Sequence, residues 1–296
     1  MLFYRQKLLL ALLQAFGGEL EKIRLQKLLF LLNCEQSEKT YDFIPYHYGC
    51  YSYTANKDLV SMRQKNIVSE TENSVSIKLH KENYADCLKE TDINALKKIK
   101  YEFEKMSISD LMKYTYVNYP YWAIKSKTKN ELLKYEELQN VNNFIPQQSE
   151  IVLFTIGYEG ISLEEYFNRL IRNNIRVLVD VRSNAYSMKY GFSKKNLGNI
   201  CRNFEIEYIH LPEVGIISEK RQTLNISKDY ENLFYEYRNT VLLKTQNTQN
   251  QILQLLKSKR RIALTCFEKD INCCHRKHLA NSISKLPQFS YKVEHI

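Results

Sequence analysis
Between Ile262 and His278 the chain reads Ile262-Ala-Leu-Thr-Cys266-Phe-Glu268-Lys-Asp270-Ile-Asn-Cys273-Cys274-His275-Arg276-Lys-His278, so an apolar run ends in thiols, carboxylates, imidazoles and a guanidinium. These groups suit polar chemistry. A Cys266 thiol beside His275, Arg276 and the first turn of a following helix has the surroundings that favour a thiolate nucleophile. Glu268 is a candidate general acid or base, and Arg276 is suited to holding a phosphate or carboxylate. The plain alternative is that Cys266 is a small core residue at a strand end. Zinc asks for ligands converging on one point, and side chains of adjacent helical residues such as Cys274 and His275 diverge. No metal site is expected on that ground.

The element that must hold this stretch is a buried strand running into a helix, and the same pattern recurs upstream. Ile151–Ile156 is a continuous apolar run broken by Gly157-Tyr158-Glu159-Gly160, Arg176–Val179 runs into Asp180 and Arg182, and Ile206–Ile209 runs into His210 and Glu213. Helical patterns lie between these runs, with a longer helical excursion before Arg261 and a further strand expected at Tyr291–Val293. The alternation predicts an α/β domain with a Rossmann-like parallel sheet and helices on both faces. Parallel strands put their carboxyl ends on one edge, where open α/β folds bind ligands. That edge would gather Cys266, Glu268 and Asp180 as catalytic candidates. Gly157, Tyr158, Arg182, His210, Glu213, Cys274, His275 and Arg276 would contact the substrate. Asp180 and Arg182 have a simpler reading as a structural ion pair, and His210 as a hydrogen-bonded core histidine. Gly157 and Gly160 would let amides approach an anion, yet no dinucleotide fingerprint or Walker motif is present, and the cofactor is unknown.

The chain has 296 residues, enough for two domains, with 44% hydrophobic and 26% charged residues as in soluble globular proteins. No apolar run spans a bilayer and no leader pattern opens the chain, so a cytoplasmic protein without membrane contact is expected. Seven cysteines suit reduced thiols better than a disulfide framework. The net charge of +10 fits a nucleotide or nucleic-acid partner, and residues 150–296 hold 22 Lys+Arg against 15 Asp+Glu, compared with 21 against 18 before them.

The N-terminal half, residues 1–122, has three helical patterns followed by a hairpin at Ile67–Leu79, the parts of a mainly helical, winged-helix-like domain. Lys57, Arg63 and Lys65 on the third helix, balanced in part by Asp58, make it a candidate for DNA or for a protein partner. The polar segment 123–150 is expected to be a linker that can carry a helix at Asn130–Leu138, and 151–296 the α/β domain.

Arg24-Leu-Gln-Lys27-Leu-Leu-Phe30, Tyr41–Ser52 and Asp58-Leu59 resemble the Panacea-type antitoxin-associated domain, with Cys50 where that family has proline. Thr155-Ile-Gly157-Tyr158, Leu178-Val-Asp180-Val-Arg182-Ser183, Tyr208-Ile-His210-Leu-Pro212-Glu213-Val-Gly215 and Leu264–Glu268 through Cys274-His275-Arg276 resemble the domain-of-unknown-function 488 family, with Val214 where leucine is common. The second resemblance implies a Rossmann-like domain, without an assigned activity, found beside mobile elements and defence genes. Val-Leu-Val-Asp180-Val-Arg182 is also similar to an early motif of rhodanese-like sulfurtransferases. Two function classes follow. One is an enzyme acting on a nucleotide or nucleic acid, delivered by the N-terminal module to DNA or a partner. The other is a non-catalytic, antitoxin-like regulator or adapter. Sulfurtransferase-like cysteine chemistry is a lesser third.

Overall fold
The computed structural model describes residues 2–78, 83–217 and 227–296, and the chain divides into two compact units, Met1–Ile145 and Pro146–Ile296. The first unit is mainly helical. Helix α1 (Tyr4–Ala15) ends at Gly17 and Gly18, both at positive φ, where a residue without Cβ turns the chain at little cost. Strand β1 (Glu19–Glu21) leads into α2 (Lys22–Glu35), and the short strands β2 (Ile44–Tyr46) and β3 (Gly49–Tyr51) form a hairpin. Ser52 then caps α3 (Tyr53–Gln64) by accepting the Ala55 amide at 3.1 Å. Strands β4 (Val68–Glu70) and β5 (Ser74–Ile77) complete an antiparallel sheet in the order β1-β5-β4. Leu79, the expected end of that hairpin, lies outside the described residues.

Helices α4 (Glu90–Phe103), α5 (Ile108–Asn118), α6 (Lys129–Leu132) and α7 (Tyr135–Asn143) follow. The last two lie in the segment read as a linker and overlap the helix expected at Asn130–Leu138; Leu133 and Val141 are buried, and the first unit runs to Ile145. Their polar composition belongs to the solvated faces. Asp58 also departs from expectation. It turns inward to Arg5 at 2.6 Å, Gln6 at 3.0 Å and Tyr41 at 3.0 Å, so it does not balance the surface cations of α3.

Lys27, from the Leu-Gln-Lys-Leu run, is buried, with its ammonium 3.2 Å from the Cys50 carbonyl. Burial lowers its pKa below the usual lysine value. The unfolded chain then keeps the proton to higher pH, and stability rises with pH between the lowered folded value and the usual value of about 10.4. Lys27→Met is expected to flatten the pH dependence of the urea midpoint in the alkaline range just below the usual lysine value. An unchanged slope would contradict this account of the buried ammonium.

The second unit alternates as the sequence predicts. Its order is β6 (Val152–Gly157), α8 (Leu163–Arg172), β7 (Val177–Asp180), α9 (Lys194–Asn203), β8 (Glu207–His210), α10 (Ser227–Asn239), α11 (Val241–Lys244), α12 (Gln246–Lys259), β9 (Arg261–Cys266), α13 (His275–Ile283) and β10 (Lys292–His295). The strands form one parallel sheet in the order β10-β6-β9-β7-β8. Every residue of β6, β7 and β9 is buried, which explains why these strands read as continuous apolar runs. Leu153, Val179 and Leu264 pack in one core with Phe234 of α10, Leu253 of α12 and Leu279 of α13. On the other face Tyr166 of α8 donates to Thr265 at 2.8 Å. Each fully buried aliphatic side chain contributes about 1.5–3 kcal/mol. The late strand β9 enters between β6 and β7, pairing Gly157 with Cys266 and Asp180 with Thr265. Three polar strand ends are thereby neighbours on one edge. Among the described residues no helix is long and apolar enough to cross a membrane.

Candidate active site
Beyond Cys266 the chain makes a turn held from several directions. Phe267 O accepts the amides of Tyr158 at 3.1 Å and Glu159 at 2.9 Å, and the Arg276 guanidinium donates to Glu268 O at 2.5 Å and Lys269 O at 3.3 Å. Gly157 permits the crossing, because a Cβ there would lie 2.0 Å from Glu268 O. After a single helical turn at Ile271–Cys273, Cys274 takes an extended conformation (φ −130°, ψ 135°) as the N-cap residue of α13.

This backbone brings four side chains together. Cys266 Sγ and Cys274 Sγ each donate to Glu268 Oε2 at 3.0 Å, and His275 Nδ1 lies 3.7 Å from the first sulfur and 4.0 Å from the second. His275 Nε2 donates to Val181 O at 2.9 Å, which in the neutral ring turns the Nδ1 lone pair towards the thiols. Cys266, Cys274 and His275 are buried and Glu268 is partly exposed. The neighbours do not make Cys274 a ready thiolate. Burial, then the adjoining Cys266 and Glu268, push its pKa well up, outweighing Arg276.

Cys266 also lines a pocket of about 210 Å³ with Tyr158, Arg182, Ser183, Asn184, Tyr186 and Phe267. The polar loop after β7 supplies most of this lining. Gly215 lets that loop close, since a Cβ there would stand 2.2 Å from Ser183 N. At the rim Tyr186 is 71% and Phe267 44% exposed.

The other expected site residues divide between pocket and scaffold. Asp180 is wholly buried. Its oxygens accept Arg182 Nε at 2.8 Å, Arg182 Nη2 at 2.5 Å and the Tyr208 hydroxyl at 2.6 Å, so it positions Arg182 and has no face on the pocket. Arg182 also donates to Tyr158 Oη at 2.6 Å and Phe192 O at 3.0 Å. Burial would lower its pKa, but the Asp180 carboxylate outweighs that and raises it. Tyr158 stacks on Phe192 at 4.2 Å between centroids. His210 donates through Nε2 to Arg182 O at 2.8 Å, which fits the histidine-as-scaffold reading.

Three expectations are corrected. Arg276 is buried, with both Nη atoms on the turn carbonyls and only Nε without a partner among the described residues, so it braces the cluster's backbone. The amides after Gly157 serve Phe267 O instead of a phosphate. Glu213 is carried to the surface by the helical turn Pro212–Val214 and accepts from Thr248 at 3.0 Å, away from the cluster. The pocket residues Asn184 and Tyr186 went unmarked in the sequence because they belong to no motif, and Ser183 and Phe267 lie inside quoted motif runs without a role assigned to them. The available signal was position, since they follow buried parallel strands at the carboxyl edge.

No curated protein matches the chain. Residues 162–283 match the family model described as Domain of unknown function DUF488, a span running from the cap of α8 through the last residue of α13. The cluster and the pocket loop fall inside it. Over residues 162–283 the C-terminal half of the chain is therefore similar to the family Domain of unknown function DUF488.

Proposed function
We propose that the second unit is an enzyme acting on a nucleotide or nucleic acid, with Cys266 as the reacting thiol and Glu268 as its proton acceptor. The observation that carries this reading is a thiol 3.0 Å from a carboxylate and 3.7 Å from an imidazole nitrogen, on the wall of a pocket at the carboxyl edge of the sheet. In the reacting step Cys266 Sγ adds to an unsaturated, electrophilic carbon of the substrate; its S–H proton passes to Glu268, and the π electron pair of that carbon moves onto the oxygen or nitrogen bonded to it. Exposed Tyr186 and Phe267 offer stacking faces for a base, above hydroxyl and amide groups of Ser183 and Asn184 that can bond its edge. The basic excess of this half supports an anionic substrate. The first unit would serve as the docking module for DNA or a protein partner.

A regulator that binds without catalysis is favoured by one observation, the engagement of Asp180 and Arg182 with protein partners. One experiment separates the readings. The full chain is incubated with ribo- and deoxynucleotides and short single-stranded oligonucleotides, and products are followed by mass spectrometry. Conversion by the native chain is expected, reduced at least about a hundredfold in Cys266→Ser and Glu268→Gln, with the thermal midpoint unchanged in both variants. Binding without conversion, equal in all three, would favour the regulator. No conversion and no binding would reject both nucleotide readings.

A further inference from the structure
We propose that Cys266, Cys274 and His275, with Glu268 beside them, form a site for a soft divalent cation of the zinc type. The donor atoms of the two cysteines and the histidine all lie within 4.8 Å of one another. Tetrahedral zinc, with bonds of about 2.3 Å to sulfur and 2.0–2.1 Å to nitrogen, sets sulfur and nitrogen ligands roughly 3.6 Å apart. The observed separations from His275 Nδ1 are 3.7 and 4.0 Å, so each donor needs to move only a few tenths of an ångström. Glu268 Oε2, 3.0 Å from both sulfurs, is not among the donors that lie within 4.8 Å of one another, so it stands beside the three ligands as a neighbouring carboxylate and leaves the fourth position to water or substrate.

Three further features agree. The Val181 carbonyl fixes the ring so that Nδ1 faces the sulfurs, the outer support that metal-bound histidines ordinarily have. Cys274 is extended, not helical, so the adjacent Cys274 and His275 side chains converge where the sequence alone suggested divergence. The charges also balance. Two thiolates and the Glu268 carboxylate bring three negative charges, against two on the cation and one on buried Arg276. Binding exchanges two S–H bonds for two metal–sulfur bonds and releases both protons to solvent.

The ligands sit on two rigid elements, the end of β9 and the start of α13, and the inference rests on that geometry whether or not the unit is an enzyme. If it is, a bound cation holds the thiolates as ligands, so metal occupancy and thiol attack exclude one another. The test adds cobalt(II) chloride to the reduced, chelator-stripped full chain and then displaces it with zinc chloride. One cobalt per chain is expected, with a thiolate charge-transfer band and the strong visible bands of a tetrahedral site. Zinc should abolish both and slow alkylation of Cys266 and Cys274, but not of exposed Cys87. The charge-transfer band should be lost in Cys266→Ser and Cys274→Ser and kept in Cys201→Ser, with affinity about 10–100-fold weaker in Glu268→Gln. Absence of the band in folded native chain with titratable thiols overturns the site, as does a band that survives both serine variants. Conversion of a nucleotide without cobalt binding sinks the cation site alone, and cobalt binding without conversion sinks the enzymatic reading alone.

Discussion

Asp180→Ala is expected to lower the unfolding free energy of the second unit by about 3–5 kcal/mol, the range for breaking a buried pair and stranding one charge. Asp180 is wholly buried and Arg182 nearly so, and the pair is joined by two hydrogen bonds, at 2.8 and 2.5 Å. Without the carboxylate, Arg182 keeps Tyr158 Oη and Phe192 O but loses its counter-ion, and the Tyr208 hydroxyl loses its acceptor. Replacing both charges together, as Asp180→Leu with Arg182→Met, should recover part of that loss because no charge is left unpaired. Urea unfolding followed by fluorescence measures both. A single replacement with an effect below about 1 kcal/mol would show that solvent reaches this pair.

Gly157→Ala is expected to damage the site more than its volume suggests. The added Cβ would lie 2.0 Å from Glu268 O and 2.8 Å from the Glu268 carbonyl carbon, both backbone atoms that no rotamer change can move. The turn must shift outward, weakening the bonds from Tyr158 N and Glu159 N to Phe267 O and drawing the Glu268 carboxylate off the two thiols. Overpacking of this kind costs about 1–3 kcal/mol and at times more. The distinctive readout is chemical. Alkylation of Cys266 and Cys274 should change rate in this variant while that of Cys201, buried on α9, does not. Unaltered rates at all three cysteines would mean that the turn tolerates the extra methyl.

Continuous apolar runs at Ile151–Ile156, Arg176–Asp180 and Arg261–Cys266 made the parallel sheet legible, since strands buried on both faces have no alternation to hide in. Their polar ends located the candidate edge. What the polar groups do there was not legible, because it depends on partners brought by distant strands. Asp180 reads as an acid until Tyr208 and Arg182 are seen to fill it. Arg276 reads as an anion holder until the turn carbonyls are seen to face it. The convergence of Cys274 and His275 hung on one backbone conformation, because an extended residue ahead of the helix turns two divergent neighbours into a pair. Helices α6 and α7 were legible only as a single helix at Asn130–Leu138 inside a linker. Their polar residues dominate the composition, while the few buried ones, Leu133 and Val141, do the packing.

The most direct test of the reacting centre is the alkylation rate of Cys266, mapped by mass spectrometry on metal-stripped full chain. The comparison is between native chain and Glu268→Gln, with and without a panel of mononucleotides, and Cys201 serves as the internal reference. Burial raises the Cys201 thiol pKa and keeps it from the thiolate form. If Glu268 and His275 serve Cys266 as proton acceptors at the pocket wall, it should react well ahead of Cys201, slow when Glu268 becomes glutamine, and be protected by at least one nucleotide. A Cys266 as inert as Cys201, indifferent to Glu268 and to every nucleotide, would contradict the assignment and leave it a core residue at the end of a strand.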